Sequence, residues 1–394
     1  MDARDTSFRI LIVDDSTENI DILTASLSNY RKMIALNGER ALKLAFGNHP
    51  PDLILLDINM PGMDGYEVCH ILKTHEETRE IPVIFLTANT DSESIIKGFE
   101  MGASDYITKP FNTGELLARV KTQLALKKSK DDIARLLTNI EKKNRLITSS
   151  IEYAKTIQQA LLPARESITR IFPDHFILYQ PKDIVSGDFY WGKECDDSIL
   201  LAAVDCTGHG VPGAFMSILG MSLLKETSSL DSSLTPAEIL DILREKVKHA
   251  LQQNENMDTN KDGMDMALCK LDPSLKHLQY AGAYNPLYLI SNGELKEYKA
   301  DRQPVAIHYR EKPFTNHNID LQPGDCFYIF SDGFADQMGG EQEKKIMSGK
   351  FKQWLMDTHT LPMEQQKEAL MDRFNSWKGN TEQTDDILVI GVRV

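Results

Sequence analysis

Several short apolar runs in the first third of the chain end in side chains that could do chemistry. RILIV at 9–13 ends in Asp14 and Asp15, and LILL at 53–56 ends in Asp57. PVIFL at 82–86 ends in Thr87, and Tyr106-Ile107-Thr108 leads into Lys109-Pro110. Three carboxylates crowded together repel one another unless a divalent cation joins them. Hard oxygen ligands of this kind suit Mg²⁺, which keeps waters and accepts phosphate oxygens. A carboxylate beside Mg²⁺ and a lysine ammonium can attack phosphorus and become an aspartyl phosphate. Thr87 would hydrogen-bond a phosphoryl oxygen. Any one of these residues alone reads as a solvated loop position; all five in this order do not.

A second set of acids lies further along. Asp188 sits in SGDFYW, Asp205 in AAVDCTGHGVPGAF, Asp332 in IFSDG, and Asp385-Asp386 in QTDDILVIGV. An apolar strand ending in Asp beside Gly puts a carboxylate at a sheet rim with backbone freedom next to it. Each alone reads as a turn residue. Together they could form one all-oxygen site, and no His/Cys cluster accompanies them, so the chemistry points to Mg²⁺ or Mn²⁺ rather than zinc. Two such ions could activate a water for in-line attack on a phosphoester, with no side-chain nucleophile.

The first set requires a sheet that gathers strand ends. Amphipathic stretches near 17–28, 38–47, 65–73, 92–101 and 112–126 alternate with the apolar runs. That alternation predicts an α/β doubly wound parallel sheet, with ligands at the carboxyl ends of its strands. The second set lies among many short β-like runs: HFILYQ, ILLAAVD, DMALCKL, LQYAGA, PLYLIS, CFYIFSD and ILVIGVRV. Helical stretches fall near 212–228, 235–253 and 351–378. This predicts an α+β β-sandwich, its sheets face to face and its helices outside.

Between the two, a helical pattern runs from Phe111 to Pro163. From Ile133 a four-three spacing reads Ile133, Leu137, Ile140, Asn144, Ile147, Ile151, Ala154, Gln158, Leu161. This predicts a parallel dimeric coiled coil, with Asn144 fixing register. A helix packed on a flanking domain has nearly the same period and is the competing reading. The expected domains are 1–125, a helical linker 126–163, and 164–394.

Residues 8–125 resemble a response-regulator receiver domain through LIVDD, LLDINMPGMDG, FLTA and DYITKPF. The resemblance implies that Asp57 is the phosphoryl acceptor. It also implies that Asp15, Asp57 and the Asn59 backbone carbonyl hold Mg²⁺, with Asp14 nearby. Thr87 and Tyr106 would be the switch pair, Lys109 would contact the phosphoryl group, and a histidine kinase would be the partner. Lys109-Pro110 is expected to be cis.

Residues 155–394 resemble the bacterial stress-response and sporulation branch of the metal-dependent type 2C serine/threonine phosphatases. IQQALLP, SGDFYW, DCTGHGVPGAFMS, AGAYNP, PGDCFYIFSDGFADQ and TDDI carry the likeness. It implies that Asp205 bridges two Mn²⁺ or Mg²⁺ ions. Asp332 and Asp385 would complete one site, Asp188 and the Cys206 backbone carbonyl the other, with Asp386 the less favoured of its pair. In eukaryotic relatives a His directly follows the Asp-Gly ligand pair and acts as general acid. Here Cys206-Thr207 follow Asp205, and His209 reads as a support of its loop through a backbone hydrogen bond. No arginine matches the family's phosphate contact, so substrate grip is expected from the metals.

Composition bounds the rest. Formal net charge is −14 over 394 residues, divided as −7 in 1–125, +4 in 126–163 and −11 in 164–394. Excess acid argues against nucleic acid as the main partner. Five scattered cysteines without C-x-x-C read as a reducing compartment. A charged first segment and no run of about 18 apolar residues predict a cytoplasmic protein with no membrane partner. Residues 258–263 (DTNKDG) begin like a calcium loop, but Cys269 stands where the bidentate Glu belongs, so they read as a turn before a strand. The expected function is a two-component response regulator with a phosphatase output. It would be a homodimer that dephosphorylates a phosphoserine or phosphothreonine protein of the STAS anti-sigma-factor-antagonist type. A receiver-gated, non-catalytic binding module is the alternative.

Overall fold

A computed structural model describes residues 8–88, 92–195, 197–254 and 261–394. The chain forms two compact units, Met1–Asn144 and Arg145–Val394.

In the first unit β1 (Arg9–Val13), α1 (Thr17–Ser26), β2 (Arg31–Ala35), α2 (Gly38–Ala45), β3 (Leu53–Asp57), α3 (Gly65–Thr74), β4 (Val83–Thr87), α4 (Ser92–Glu100) and β5 (Asp105–Thr108) alternate. The sheet is wholly parallel, in the order β2-β1-β3-β4-β5. Strands covered on both faces need apolar residues at every position, which is why RILIV and LILL read as unbroken runs. Period-two alternation sends Leu11, Val13, Ile54 and Leu56 into one core. Ile10, Ile12, Leu53 and Leu55 enter the other. Ser16 caps α1, and Asp64 with Glu67 forms a capping box on α3. The Lys109-Pro110 bond is cis, as the sequence predicts.

Helix α5 (Thr113–Leu161) is continuous over 49 residues. Leu116, Val120 and Leu124 near its start enter the core of the first unit. Ile133, Leu137, Ile140 and Ile147 are each more than half exposed. Gln158, which the heptad reading places in a coiled-coil seam, is instead buried within the second unit, 3% exposed. For these last turns, packing on a flanking domain wins over the seam.

The second unit opens with α6 (Arg165–Ile171), β6 (His175–Gln180), β7 (Phe189–Cys195), β8 (Ser198–Cys206), α7 (Gly210–Thr227) and α8 (Pro236–Ala250). There follow β9 (Met264–Leu271), β10 (His277–Ala283), β11 (Leu287–Ser291), β12 (Glu294–Tyr298), β13 (His317–Asp320) and β14 (Cys326–Phe330). It closes with α9 (Gly333–Asp336), β15 (Met338–Gly339), β16 (Lys344–Lys345), α10 (Met347–Thr358), α11 (Met363–Lys378) and β17 (Ile387–Arg393). Two five-stranded sheets result, β13-β10-β9-β8-β7 and β12-β11-β14-β17-β6. Leu201, Ala267 and Tyr280 of the first meet Leu289, Ile329 and Ile390 of the second in the central core. Leu224, Leu240 and Leu243 of α7 and α8 cover the first sheet's outer face. Phe351, Leu370 and Phe374 of α10 and α11 cover the second's. The sandwich with outer helices is the predicted class. The single helix predicted over 351–378 is two, because Pro362 cannot continue α10 and stands at the N-cap of α11. Of the calcium-like turn, 258–260 lie outside the described residues, and MDMALCKL is the predicted strand. Among the described residues no helix is long and apolar enough to cross a membrane.

Candidate active site

The parallel sheet of the first unit delivers Asp14 and Asp15, Asp57, Thr87 and Lys109 to the carboxyl ends of β1, β3, β4 and β5. Oxygens of Asp14, Asp15 and Asp57 lie within 4.8 Å of one another. Lys109 Nζ is 2.9 Å from Asp14 Oδ2 and 2.9 Å from Asp57 Oδ2. Asp14 is further fixed by the Ser16 N–H at 2.9 Å and the Asn19 amide at 3.0 Å. Asp57 is buried, and burial, then the Asp14 charge, raise its carboxyl above the usual range. Lys109 and the Asn59 N–H pull it back. Burial alone would lower the Lys109 ammonium, but its bonds to Asp14 and Asp57 outweigh this and hold it raised. The cluster is thus one cation short of balancing three carboxylates, an arrangement suited to Mg²⁺. Thr87 and Tyr106 line one apolar recess with Ile58, Phe85 and Phe99. Asn59 is exposed beside Asp57.

The second unit gathers its acids at one end of the sandwich. Asp188 directly precedes β7, Asp205 is the last residue but one of β8, beside the buried Cys206, Asp332 follows β14, and Asp385 comes just before β17. Asp188 is 2% exposed and accepts a short hydrogen bond from Ser331 Oγ. The Leu388 N–H in turn donates to Ser331 Oγ at 3.1 Å. Burial raises Asp188 well above the carboxylate range, and the Asp386, Asp385 and Asp332 charges add to this. Burial does the same to Asp205, reinforced by Asp188, Asp332, Asp265 and Asp385. Burial, then Asp336 and Asp385, raises Asp332. Among the described residues these acids do not close to within 4.8 Å as a group, as Asp14, Asp15 and Asp57 do, but carboxylates destabilised by each other's charge are all-oxygen donors of the kind that suit divalent cations.

Asp386 has a different task from its neighbour. Its Oδ1 accepts the Lys182 N–H and its Oδ2 the Gly187 N–H, both at 2.7 Å. It latches the strand-entry segment of Asp188 to that of Asp385. Gly187 and Gly213 allow a close approach, since a Cβ at either would meet the Gly208 carbonyl.

Two features escape sequence reasoning. Asp265 on β9 pairs in register with Asp205 on β8, and burial, then the Asp332 charge, pushes its carboxyl up to about 7. Its signal is slight: one acid inside the apolar MDMALC run. His209 does not support its loop through a backbone bond as predicted. It stands at the N-cap of α7 without a cap hydrogen bond. Its ring is drawn instead to side chains of an adjacent segment, with Nδ1 2.7 Å from Asp183 Oδ2 and Nε2 3.0 Å from Lys182 Nζ.

Comparison with known proteins agrees with this division. The family model of the response regulator receiver domain matches residues 10–121. The model of Stage II sporulation protein E (SpoIIE) matches residues 196–394, half of the chain. Among solved structures, the SiaA-PP2C domain of Pseudomonas aeruginosa is 33% identical, with a TM-score of 0.57. The match covers 64% of this chain and 98% of that one. A probable cyclic di-GMP phosphodiesterase of Vibrio cholerae is 46% identical over 123 residues, 31% of this chain and 28% of its own length. Response regulator PleD of Caulobacter vibrioides is 43% identical over 129 residues, 32% of this chain and 28% of its own. The chain thus spans little more than a quarter of these two relatives.

Proposed function

The chain belongs to the Stage II sporulation protein E family and carries a response-regulator receiver domain ahead of that region, and from this premise we propose that it is a receiver-controlled, metal-dependent protein serine/threonine phosphatase. The observation that carries the reading is the convergence of the buried Asp188, the half-buried Asp205 and the more exposed Asp332, with Asp385, at one end of the sandwich, where loss of solvation and each other's charge raise the first three carboxyls. Asp205 would bridge two Mn²⁺ or Mg²⁺ ions. Asp332 and Asp385 would complete one site, Asp188 and the Cys206 carbonyl the other. When bound, the cations neutralise the carboxylates and polarise water and phosphoryl oxygens. Ser331 orients Asp188, and Asp386 sets the spacing of the Asp188 and Asp385 segments.

In the receiver, Asp57 would accept a phosphoryl group from a histidine kinase. Mg²⁺ would be held by Asp15, Asp57 and the Asn59 carbonyl, with Asp14 alongside. Lys109 would contact the phosphoryl group, and Thr87 and Tyr106 would respond to it. The exposed apolar residues of α5 would pair two chains as a coiled coil in the linker between domains 1–125 and 164–394. The substrate would be a cytoplasmic phosphoserine or phosphothreonine protein of the STAS anti-sigma-factor-antagonist type.

The test is hydrolysis of a phosphoserine protein by the full chain with Mn²⁺, with and without beryllofluoride on Asp57. The expected result is hydrolysis that Asp205→Ala abolishes and beryllofluoride changes. No hydrolysis in either receiver state would overturn the enzymatic reading. A rate indifferent to beryllofluoride would overturn receiver control alone.

A further inference from the structure

His209, Asp183 and Lys182 form a hydrogen-bonded chain at the rim of the carboxylate site. Asp183 accepts, so His209 Nδ1 carries the proton of their 2.7 Å bond. Nε2 then accepts from the Lys182 ammonium at 3.0 Å. The chain is tied to the metal acids from both sides. The loop bearing His209 starts at Asp205-Cys206, and the Lys182 N–H donates to Asp386, next to Asp385. The side chains of His209 and Asp183 are each 47% exposed. The chain presents an ammonium and an imidazole to solvent beside a site otherwise lined with acids. The N-terminus of α7, where His209 stands, adds partial positive charge that favours an incoming dianion.

We propose that Lys182 and His209 are catalytic residues of this site, Lys182 binding a phosphate oxygen and His209 giving a proton to the leaving seryl or threonyl oxygen, with Asp183 as a positioning residue. The proposal rests on the phosphatase reading and supplies what the acids lack: a cationic grip and a proton donor. As the phosphate draws the Lys182 ammonium away, Nε2 is released and takes a proton from solvent. A water oxygen then bonds to phosphorus while the ester P–O bond breaks. Its electron pair goes to the seryl oxygen, which takes the Nε2 proton. The water's own proton returns to solvent, leaving a hydroxyl and inorganic phosphate. An alkyl leaving group needs this proton, whereas an aryl oxygen leaves readily without it.

The experiment compares a phosphoserine peptide with p-nitrophenyl phosphate, using the full chain with Mn²⁺. His209→Ala is expected to lose about 10²- to 10³-fold in kcat on the peptide but less than about 10-fold on the aryl ester. His209→Gln, which keeps hydrogen bonding without an acidic proton, is expected to show the same selective loss. Asp183→Asn shows it in milder form, at unchanged KM. Lys182→Ala is expected to raise KM about 10-fold on both substrates, with rescue by Lys182→Arg. Equal losses of kcat on the two substrates, or none, would overturn the relay and leave the phosphatase reading standing. An inactive wild-type chain on both substrates would overturn both.

Discussion

Gln158 closes a two-point clamp on the backbone of Ser186. Its Nε2 donates to the Ser186 carbonyl at 2.6 Å, and its Oε1 accepts the Ser186 N–H at 3.1 Å. The same amide nitrogen lies 2.7 Å from Ser217 Oγ on α7. Ser186 is two residues from Asp188, so the end of α5 is tied to a proposed metal ligand. Truncation leaves a buried N–H and a buried C=O unpaired, each costing about 1–3 kcal/mol. Gln158→Ala is therefore expected to lower the melting temperature of the phosphatase unit and raise the Mn²⁺ concentration needed for half-maximal activity. Calorimetry and a Mn²⁺ titration check both. An unchanged Mn²⁺ requirement would separate the clamp from the site.

Lys109 is the shared cation of Asp14 and Asp57. Removing one partner of a buried charge pair is costly, about 3–5 kcal/mol when fully buried. The Lys109 side chain is 20% exposed, so Lys109→Ala is expected to cost somewhat less, about 2 kcal/mol. Mg²⁺ should recover part of that, because it supplies the charge the lysine no longer does. Urea melts with and without Mg²⁺ measure the difference. Asp57→Asn is expected to retain stability and to take up no phosphoryl group from acetyl phosphate, as read by phosphate-affinity electrophoresis.

The acids that end apolar runs were legible because a strand end with a carboxylate and a nearby glycine announces itself locally. Asp265 was not, because its meaning comes from β8 pairing with β9 in the register that sets it against Asp205. No local pattern encodes that register. His209 escaped for the same reason, its partners lying 26 and 27 residues away in sequence. Gln158 is legible as part of a motif, but periodicity alone places it in a coiled-coil seam. A 3.5-residue seam and a 3.6-residue docking face coincide over a few turns, and only the buried partners Ser186 and Ser217 distinguish them. Pro362 is legible in composition, yet the helical pattern over 351–378 predicts one helix across the break it makes between α10 and α11.

The buried acids make the cation-free protein sensitive to pH, and Asp265 fixes the window. Its carboxyl rises from an ordinary 3.8 to about 7 on folding. Between those values the folded chain holds a proton that the unfolded chain has released. Stability is therefore present in full below about pH 4 and lost as pH rises toward 7. At about 1.4 kcal/mol per pH unit, the upper bound is roughly 4 kcal/mol. The upward shifts of Asp188, Asp205 and Asp332 act in the same direction. In EDTA the phosphatase unit is expected to melt lower at about pH 7.5 than at about pH 5, with Mn²⁺ removing the difference. Asp265→Asn should flatten the EDTA curve. A melting temperature that climbs with pH in EDTA would contradict the assignment.

The exposed apolar residues of α5 make the last prediction. Ile133, Leu137, Ile140 and Ile147 are each more than half exposed, and such a row on one helix needs a partner to leave water. Burying a Leu or Ile fully contributes about 1.5–3 kcal/mol, so four from each of two chains could hold a dimer against the entropy of association. Ile140→Glu with Ile147→Glu places like charges in that seam and is expected to give a monomer by light scattering at micromolar concentration. Asn144, on the same spacing, would specify register at some cost in stability. Asn144→Leu is accordingly expected to strengthen association while admitting species larger than a dimer. If the double glutamate variant stays dimeric, the contact lies elsewhere and the seam is refuted. If both it and the wild-type chain are monomers, the apolar row serves another partner.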